Sequence, residues 1–397
     1  MIQFLLNQTL VSEQQLDANT TVLNWLRQHK GRCGTKEGCA SGDCGACTVA
    51  LGRVVAGKLV YETVNSCLLP IGALDGKQLI TVEDLHQGDR LHGVQQAMVE
   101  SHASQCGFCT PGFVMSLFAL QKQGESWDRA RAESALAGNL CRCTGYRPIV
   151  EAARIACERP ESDSFSQREA ETVEKLKALR QTIMSDVVTE NSRCVLPHNC
   201  TQLAELYLAH PEAVLLAGGT DLALRITQQH QHLPLIIALE AVTELRAWQE
   251  SDEAITIGAA VPLSECQRRL QQSVPAFSEM LHRFASLQIR NRGTLGGNIA
   301  NGSPIGDASP LLLALDAGLE LQRGEIIRRL PLSDFFLGYR RTALQPGEFI
   351  RSIVIPKVTL SPDIRAWKVS KRSEDDISAV FAAFNLQRSG DRVTLAP

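Results

Sequence analysis

The 397-residue sequence lacks any apolar run approaching the ~20 residues of a membrane-spanning helix, which argues against such a span. It also lacks a marked excess of one charge. A formal net charge of −3 gives no electrostatic case for nucleic acid or an anionic membrane as the main partner. The opening stretch Met1-Ile2-Gln3-Phe4-Leu5-Leu6-Asn7 has no basic n-region and its apolar run stops early, so it reads as a first strand and not as a signal peptide. Internal repeats and low-complexity tracts are absent, and there is no Rossmann G-x-G-x-x-G after a strand.

Cysteine is plentiful by contrast, with thirteen residues. Without an export signal these imply a reducing, cytoplasmic compartment, where clustered cysteines bind metal or do redox chemistry more often than they form disulfides. Eight of them form two tetrads: Cys39-x4-Cys44-x2-Cys47 closed by Cys67, and Cys106-x2-Cys109 closed by Cys141-x-Cys143. The first has plant-type ferredoxin spacing for a 2Fe-2S cluster, with the fourth ligand arriving from a later strand. Gly38, Gly42 and Gly45 punctuate its loop, where backbone must fold tightly and aim N–H groups at sulfur. Structural zinc is the alternative, but zinc ribbons pair two short C-x2-C knuckles. The second tetrad is less decisive, since Cys106-Gly107-Phe108-Cys109 also suits a zinc knuckle or a redox pair, although Cys141-Arg142-Cys143 is tight for tetrahedral zinc.

The length allows roughly two to four domains of ~100–200 residues. Up to about Asp75, short apolar runs alternate with glycine turns around one amphipathic helix that begins near Asn19-Thr20 and carries Val22, Leu23 and Leu26; this suits a ferredoxin-like β-grasp. From Thr81 to about Cys157 the period is helical. Leu91, Val94 and Met98 form one stripe, and Pro111 opens a helix carrying Phe113, Val114, Leu117 and Leu120, so a four-helix-type domain is expected with the second tetrad at helix ends. A polar stretch rich in Glu, Ser, Lys, Arg and Gln, with a short amphipathic run at Val173, Leu176 and Leu179, reads as a linker that is part helical. The expected division is 1–78, 79–158, linker 159–192 and 193–397.

In the last block, Val214-Leu215-Leu216-Ala217 reads as a buried strand running into Gly218-Gly219-Thr220-Asp221. There amides without Cβ obstruction could approach a pyrophosphate, although a Gly-Gly turn is usually only a turn. The stretch from Arg292 to Asp307 (RGTLGGNIANGSPIGD) is too rich in glycine and small polar residues for a packed element. It suits a loop wrapped on a phosphate-bearing ligand, with Asp307 placed to bind a hydroxyl or amine.

Several motifs together carry a family resemblance: the loop Gly38 to Cys47, Gln105-Cys106-Gly107-Phe108-Cys109-Thr110-Pro111-Gly112, Asn139 to Ile149 (NLCRCTGYRPI), Gly293-Thr294-Leu295-Gly296-Gly297-Asn298, and Lys371 to Ile377 (KRSEDDI). In this order, over nearly the whole chain, they resemble the small subunit of bacterial xanthine dehydrogenases, within the molybdenum hydroxylase family that includes aldehyde oxidases. The resemblance implies an α+β multidomain fold: a β-grasp 2Fe-2S domain, a four-helix-type 2Fe-2S domain, and an FAD-binding domain of the PCMH/CO-dehydrogenase flavoprotein type. It implies two 2Fe-2S clusters, on Cys39, Cys44, Cys47 and Cys67 and on Cys106, Cys109, Cys141 and Cys143. For FAD it implies a site lined by Leu215, Leu216, Ala217, Gly218, Gly219, Thr220, Asp221, Leu222, Thr294, Asp307, Ile350 and Lys368, with Phe284 near the isoalloxazine ring. Tyr339 and Asp375 match positions where NAD+ docks, and Gln105 matches a glutamine facing the pterin of the molybdenum cofactor.

The resemblance further implies that molybdopterin and the purine pocket lie on a separate large subunit, in a hetero-oligomer such as a dimer of heterodimers. Electrons from oxidation of hypoxanthine or xanthine to urate would pass through the second cluster, then the first, then FAD, which joins one-electron to two-electron chemistry, and on to NAD+. No general acid or base is then needed here, and His86, His92, His102 and His198 read as ordinary histidines. Cys33, Cys157, Cys194, Cys200 and Cys266 read as buried apolar cysteines, Cys33 least firmly because it sits beside the first loop. The chain stops at Ala396-Pro397 after an expected strand Val393-Thr394-Leu395, where family FAD domains continue, so a truncated C-terminal subdomain is expected. The small subunit of an aldehyde oxidase or other molybdenum hydroxylase, and more distantly a non-enzymatic metal-binding interaction protein, are the alternative readings.

Overall fold

The computed structural model describes residues 1–159, 162–181, 186–389 and 392–395. The contacts gather the chain into two units, the first comprising 1–194, 219–234 and 286–291 and the second 195–218, 235–285 and 292–397.

In the first unit, β1 (Ile2–Leu6) and β2 (Thr9–Glu13) form an antiparallel hairpin. The helix α1 (Val22–Asn24), continued by a wider turn through Trp25–His29, starts where Thr21 Oγ1 accepts the Asn24 N–H, and it buries Val22, Leu23, Trp25 and Leu26. A second hairpin joins β3 (Thr48–Val55) to β4 (Lys58–Asn65) through Ala56 and Gly57, both at positive φ, as a tight two-residue turn between twisted strands requires. β5 (Gln78–Ile80) then pairs parallel to β1 and antiparallel to β3, giving the order β2-β1-β5-β3-β4 of a β-grasp.

Four helices follow: α2 (Gly93–Glu100), α3 (Thr110–Lys122), α4 (Arg129–Leu136) and α5 (Arg147–Glu158). Pro111 sits in the first turn of α3, where its missing N–H costs no hydrogen bond, and the helix buries Phe113, Val114, Leu117, Phe118 and Leu120. Each such side chain contributes about 1.5–3 kcal/mol of burial. Leu91 departs from the expected stripe: it precedes α2 and is 41% exposed, so the buried face is Val94, Ala97 and Met98.

Helices and sheet share one core, in which Ala50, Tyr61 and Ile80 pack with Phe113, Phe118 and Phe165. That continuity is why the first two expected blocks form one unit. Of the stretch read as a linker, 160–161 and 182–185 lie outside the described residues. The remainder holds α6 (Ser164–Gln167) and α7 (Glu169–Gln181), whose Thr172, Val173 and Leu176 are buried; α7 meets β1, β3 and β4. Its apolar stripe is enough to dock α7 on the sheet.

Asp163 ties these elements together. It caps α6 and accepts hydrogen bonds from His92 Nε2 at 2.7 Å, Lys122 Nζ at 2.5 Å and Ser166 N at 2.8 Å. His92 is thus a structural histidine, buried and also capping α2.

β6 (Val187–Val188) and β7 (Arg193–Val195) form a short hairpin. In the second unit, α8 (Cys200–Ala209) precedes β8 (Val214–Leu216), which runs parallel to β9 (Leu235–Ala238). Between them, α9 (Ala223–Thr227) belongs to the first unit. β10 (Trp248–Glu250) and β11 (Ala254–Gly258) lead into α10 (Leu263–Ser273) and α11 (Pro275–His282); α12 (Leu287–Arg290) again belongs to the first unit. Then come α13 (Leu295–Ala300), α14 (Ala308–Ala314), β12 (Gly318–Arg323), β13 (Ile326–Pro331), the small pair β14 (Phe336–Gly338) and β15 (Arg341–Thr342), and β16 (Phe349–Pro356).

β10, β11, β16, β12 and β13 form an antiparallel sheet in that order, covered by Leu270, Phe277, Leu281, Leu311 and Leu315 from the helices. β17 (Asp363–Val369), β18 (Val380–Ser389) and β19 (Arg392–Leu395) make a second antiparallel sheet, which includes the expected last strand. Residues 396–397, to which the truncation reading refers, lie outside the described residues. No helix among the described residues is long and apolar enough to cross a membrane.

Burial pushes the Asp163 carboxyl upward, but hydrogen bonds from His92, Lys122 and Ser166 outweigh it and hold the group well below the usual carboxylate range. A carboxyl with a depressed folded value stabilises the fold fully above its unfolded value of about 4, and the contribution fades as pH falls through the folded value. Asp163→Asn is therefore expected to cost about 1–3 kcal/mol at pH 7, with the gap to the unsubstituted chain narrowing between about pH 5 and pH 2. Urea denaturation followed by circular dichroism across that range checks this; a gap independent of pH would contradict it.

Candidate functional site

The loop before β3 brings the first tetrad together. Cys47 and Cys67 are buried with their sulfurs 3.3 Å apart, and the Cys39 and Cys44 thiols hydrogen-bond to each other. The negative charge of Cys39 is felt at Cys44, Cys47 and Cys67, which places all four at one site. Ser41 N and Cys44 N both point at Cys39 Sγ at 3.4 Å. A Cβ on Gly38 would lie 2.8 Å from Cys44 Sγ, and Gly42 and Gly45 take φ of +85° and +66°, so the loop needs glycine for both space and backbone.

The thiols come as two pairs. Among the described residues, no three His, Cys, Asp or Glu side chains converge on a point that would hold a single ion. Two thiol pairs fit a binuclear iron centre with two ligands per iron. Hydrogen bonding from Cys44 draws Cys39 down to about 4 while pushing Cys44 up, and Cys67 does the same for Cys47. Within each pair one sulfur is thereby favoured as thiolate over the other.

The second tetrad repeats the pairing at helix ends. Cys109 caps α3 and hydrogen-bonds Cys141, while Cys106 hydrogen-bonds Cys143. Burial, then the bond to Cys141, pushes the Cys109 thiol up to about 12. Thr144 supplies both its N–H at 3.4 Å and its hydroxyl at 3.1 Å to Cys141 Sγ, a contact the spacing alone did not reveal. Cys106 and Cys143 are exposed, as are Gln105, Phe108, Leu140 and Tyr146 around them.

The two tetrads are joined by backbone. Leu140 N donates to the Cys44 carbonyl at 2.9 Å, one residue before Cys141. A Cβ on Gly45 would lie 2.1 Å from the Gly138 carbonyl, and one on Gly112 would lie 2.3 Å from the Gly45 carbonyl, so three glycines let the two segments touch. Of the remaining cysteines, Cys194, Cys200 and Cys266 are buried as expected and Cys157 is partly so. Cys33 is exposed, because its short loop turns it outward.

In the second unit, the glycine-rich segments meet. A Cβ on Gly218 would fall 1.8 Å from the Arg292 carbonyl oxygen and 3.0 Å from Gly293 Cα. Leu215 and Leu216 lie on β8, with Ala217 leading to Gly218; Gly219, at φ +81°, and Thr220, Asp221 and Leu222 continue toward α9 in the first unit. Thr294 caps α13, its hydroxyl accepting from Gly297 N, and Ile350 is buried in β16.

Phe284, Asp307 and Lys368 are brought together. Lys368 Nζ lies 2.7 Å from Asp307 Oδ2 and 6.0 Å from the Phe284 ring centre, and Ser378 Oγ donates to Asp307 Oδ1 at 2.7 Å. Both members of the ion pair are nearly enclosed, at 4% and 3% exposure. Arg283 binds the carbonyls of Lys368 and Ser373 and the Ser370 hydroxyl, fixing the strand end that carries Lys368. Neither Arg283 nor Ser378 was legible in the sequence, since each acts across some 70 residues or more. Tyr339 stands 75% exposed and Asp375 sits in a turn at φ +50°.

Residues 81–154 match the family described as a 2Fe-2S binding domain, and residues 190–358 match the FAD binding domain in molybdopterin dehydrogenase. The chain carries the iron–sulfur and FAD region of a molybdenum hydroxylase. This iron–sulfur/FAD region is 36% identical, over 98% of the chain, to xanthine dehydrogenase of Drosophila subobscura. It is 34% identical, over 99% of the chain, to xanthine dehydrogenase/oxidase of Mus musculus. The chain spans 33% of the length of each of these relatives. A solved carbon monoxide dehydrogenase from Hydrogenophaga pseudoflava, lacking the Mo-pyranopterin moiety of its cofactor, aligns with a TM-score of 0.48 and 27% identity over 51% of this chain and 71% of that one.

The Gly218 contact leaves no room for a side chain in the iron–sulfur/FAD region. Gly218→Ala is expected to part the two glycine-rich segments and weaken FAD binding at least tenfold, with the cluster absorbance retained. Flavin fluorescence titration of the flavin-stripped chain measures this; unchanged affinity would remove Gly218 from the site.

Proposed function

We propose that the chain is the electron-transfer subunit of a xanthine dehydrogenase-type enzyme, divided as 1–78, 79–158, a connecting stretch 159–192, and an FAD-binding part 193–397. On this reading hypoxanthine or xanthine is oxidised at a molybdopterin centre on a partner subunit, within a hetero-oligomer. Two 2Fe-2S clusters and FAD supply one-electron carriage and its conversion to hydride transfer to NAD+. The observation that carries the reading is the hydrogen bond from Leu140 N–H to the Cys44 carbonyl, which couples one tetrad's backbone to the other's.

The residues divide the work by exposure. Cys106 and Cys143 face solvent beside Gln105, which suits the end that receives electrons from a partner, while Cys47 and Cys67 are enclosed within the chain. Cys39, Cys44, Cys47 and Cys67 would hold one cluster, and Cys106, Cys109, Cys141 and Cys143 the other. Backbone N–H groups at Cys39 and Cys141 stabilise the thiolates they face. In the flavin-binding part, Gly218 and Gly293 open backbone to a diphosphate, Phe284 offers a ring face, and the Asp307–Lys368 pair fixes charge beside it. Tyr339 and Asp375 would meet the nicotinamide nucleotide.

Purified aerobically and then made anaerobic, the chain is expected to show flavin and 2Fe-2S absorbance that bleaches on addition of NADH, the reverse of the physiological direction. A colourless, zinc-containing protein would overturn the reading. Bleaching by dithionite but not by NADH would leave the electron-transfer role and remove NAD+ as acceptor.

A further inference from the structure

Gln288 lies on α12, far along the chain from both tetrads, yet it belongs to the first unit and is 1% exposed. Its Nε2 is 3.1 Å from Asn139 Oδ1, 3.3 Å from Thr48 Oγ1 and 3.4 Å from Ser116 Oγ, while its Oε1 has no partner among the described residues. The side chain therefore acts as a donor. Asn139 Oδ1 also receives the Ser116 hydroxyl at 2.6 Å. With two donors on its oxygen, the Asn139 amide can face only one way, and its Nδ2 is turned onto the Gly45 carbonyl at 3.0 Å and Thr48 Oγ1 at 3.2 Å. Thr48 grips the same carbonyl through its N–H at 3.0 Å and its hydroxyl at 2.7 Å. A peptide unit is planar, so holding the Gly45 C=O also holds the N–H of the Gly45–Ala46 peptide, which projects from the opposite side. That peptide lies between Cys44 and Cys47, in the loop whose Ser41 and Cys44 N–H groups point at Cys39 Sγ at 3.4 Å.

We propose that Gln288 is a positioning residue for the cluster of the first tetrad: through Asn139 and Thr48 it fixes the Gly45–Ala46 peptide between Cys44 and Cys47, and so sets that cluster's reduction potential. The inference rests on the reading that Cys39, Cys44, Cys47 and Cys67 hold a 2Fe-2S cluster. Hydrogen bonds to cluster sulfurs favour the reduced, more negative state and raise the potential; loosening one lowers it. Gln288 touches no cysteine, so its effect is carried by its contacts with Asn139 and Thr48.

The test is an EPR-monitored redox titration of the full chain carrying its cofactors, comparing it with Gln288→Met, which keeps length and removes the donors, and Ser116→Ala, which removes the other donor to Asn139. A Cys39→Ser variant identifies the first tetrad's signal. Both substitutions are expected to move that signal's midpoint to a more negative potential, Gln288→Met by more, while the second signal stays in place. Combined with Asn139→Leu, Gln288→Met is expected to add less than it does alone, the remainder passing through Thr48. A Gln288→Met chain with both clusters assembled and an unchanged first midpoint would overturn the proposal, as would an equal shift of both signals. If Gln288→Met does not fold, Ser116→Ala decides by the same criteria. A single 2Fe-2S signal in the unsubstituted chain would instead mean that the two-cluster reading has failed.

Discussion

The Asn139 side chain is the contact on which the first unit depends. It is buried, and it satisfies a carbonyl of the first cysteine loop, a hydroxyl at the start of β3 and a hydroxyl of α3 at once. A buried amide in such a position is valuable only when every partner is present, because an unpaired donor or acceptor costs about 1–3 kcal/mol. The surrounding architecture follows from that demand. Gly45, Gly112 and Gly138 must lack side chains so that the loop, the helix and the Asn139 turn approach closely enough, and the helices must share a core with the sheet and cannot form a separate bundle.

The second unit solves a similar problem with charge. Asp307 and Lys368 are each buried, and neither would be tolerated alone in that environment. Ser378 occupies the second carboxylate oxygen, and Arg283 holds the backbone of the strand end from which Lys368 projects. A buried ion pair of this kind contributes more to geometry than to net stability. It holds the Lys368 ammonium on Asp307, at the N-cap of α14, with the nitrogen 6.0 Å from the Phe284 ring centre.

Features set by local spacing were legible in the sequence. The C-x4-C-x2-C loop and its glycines announced a tight cysteine site and Pro111 announced a helix start, whereas the Arg292 to Asp307 run, read as a loop too rich in glycine to pack, carries α13 with Leu295 and Ile299 in the core. What escaped notice was long-range. Leu91 looked like part of a helical stripe because periodicity says nothing about where the first turn begins, and the stretch around Val173 looked like a linker because its charged face outnumbers its buried one. Gln288 and Arg283 carried no signal, since an amide or a guanidinium gains its role only when distant chain segments meet it.

The contrast in exposure between the two tetrads has a consequence for chemical lifetime. Cys47 and Cys67 are walled in by Leu23, Leu68 and Ala223, whereas Cys106 and Cys143 stand at the surface. Dissolved oxygen and peroxide meet the outer sulfurs first, and thiolate character with access is what drives thiols up the oxidation ladder. On the function proposed above, a partner subunit covering Cys106 and Cys143 would be a shield as well as an electron donor, and the unassembled chain would age from that end inward.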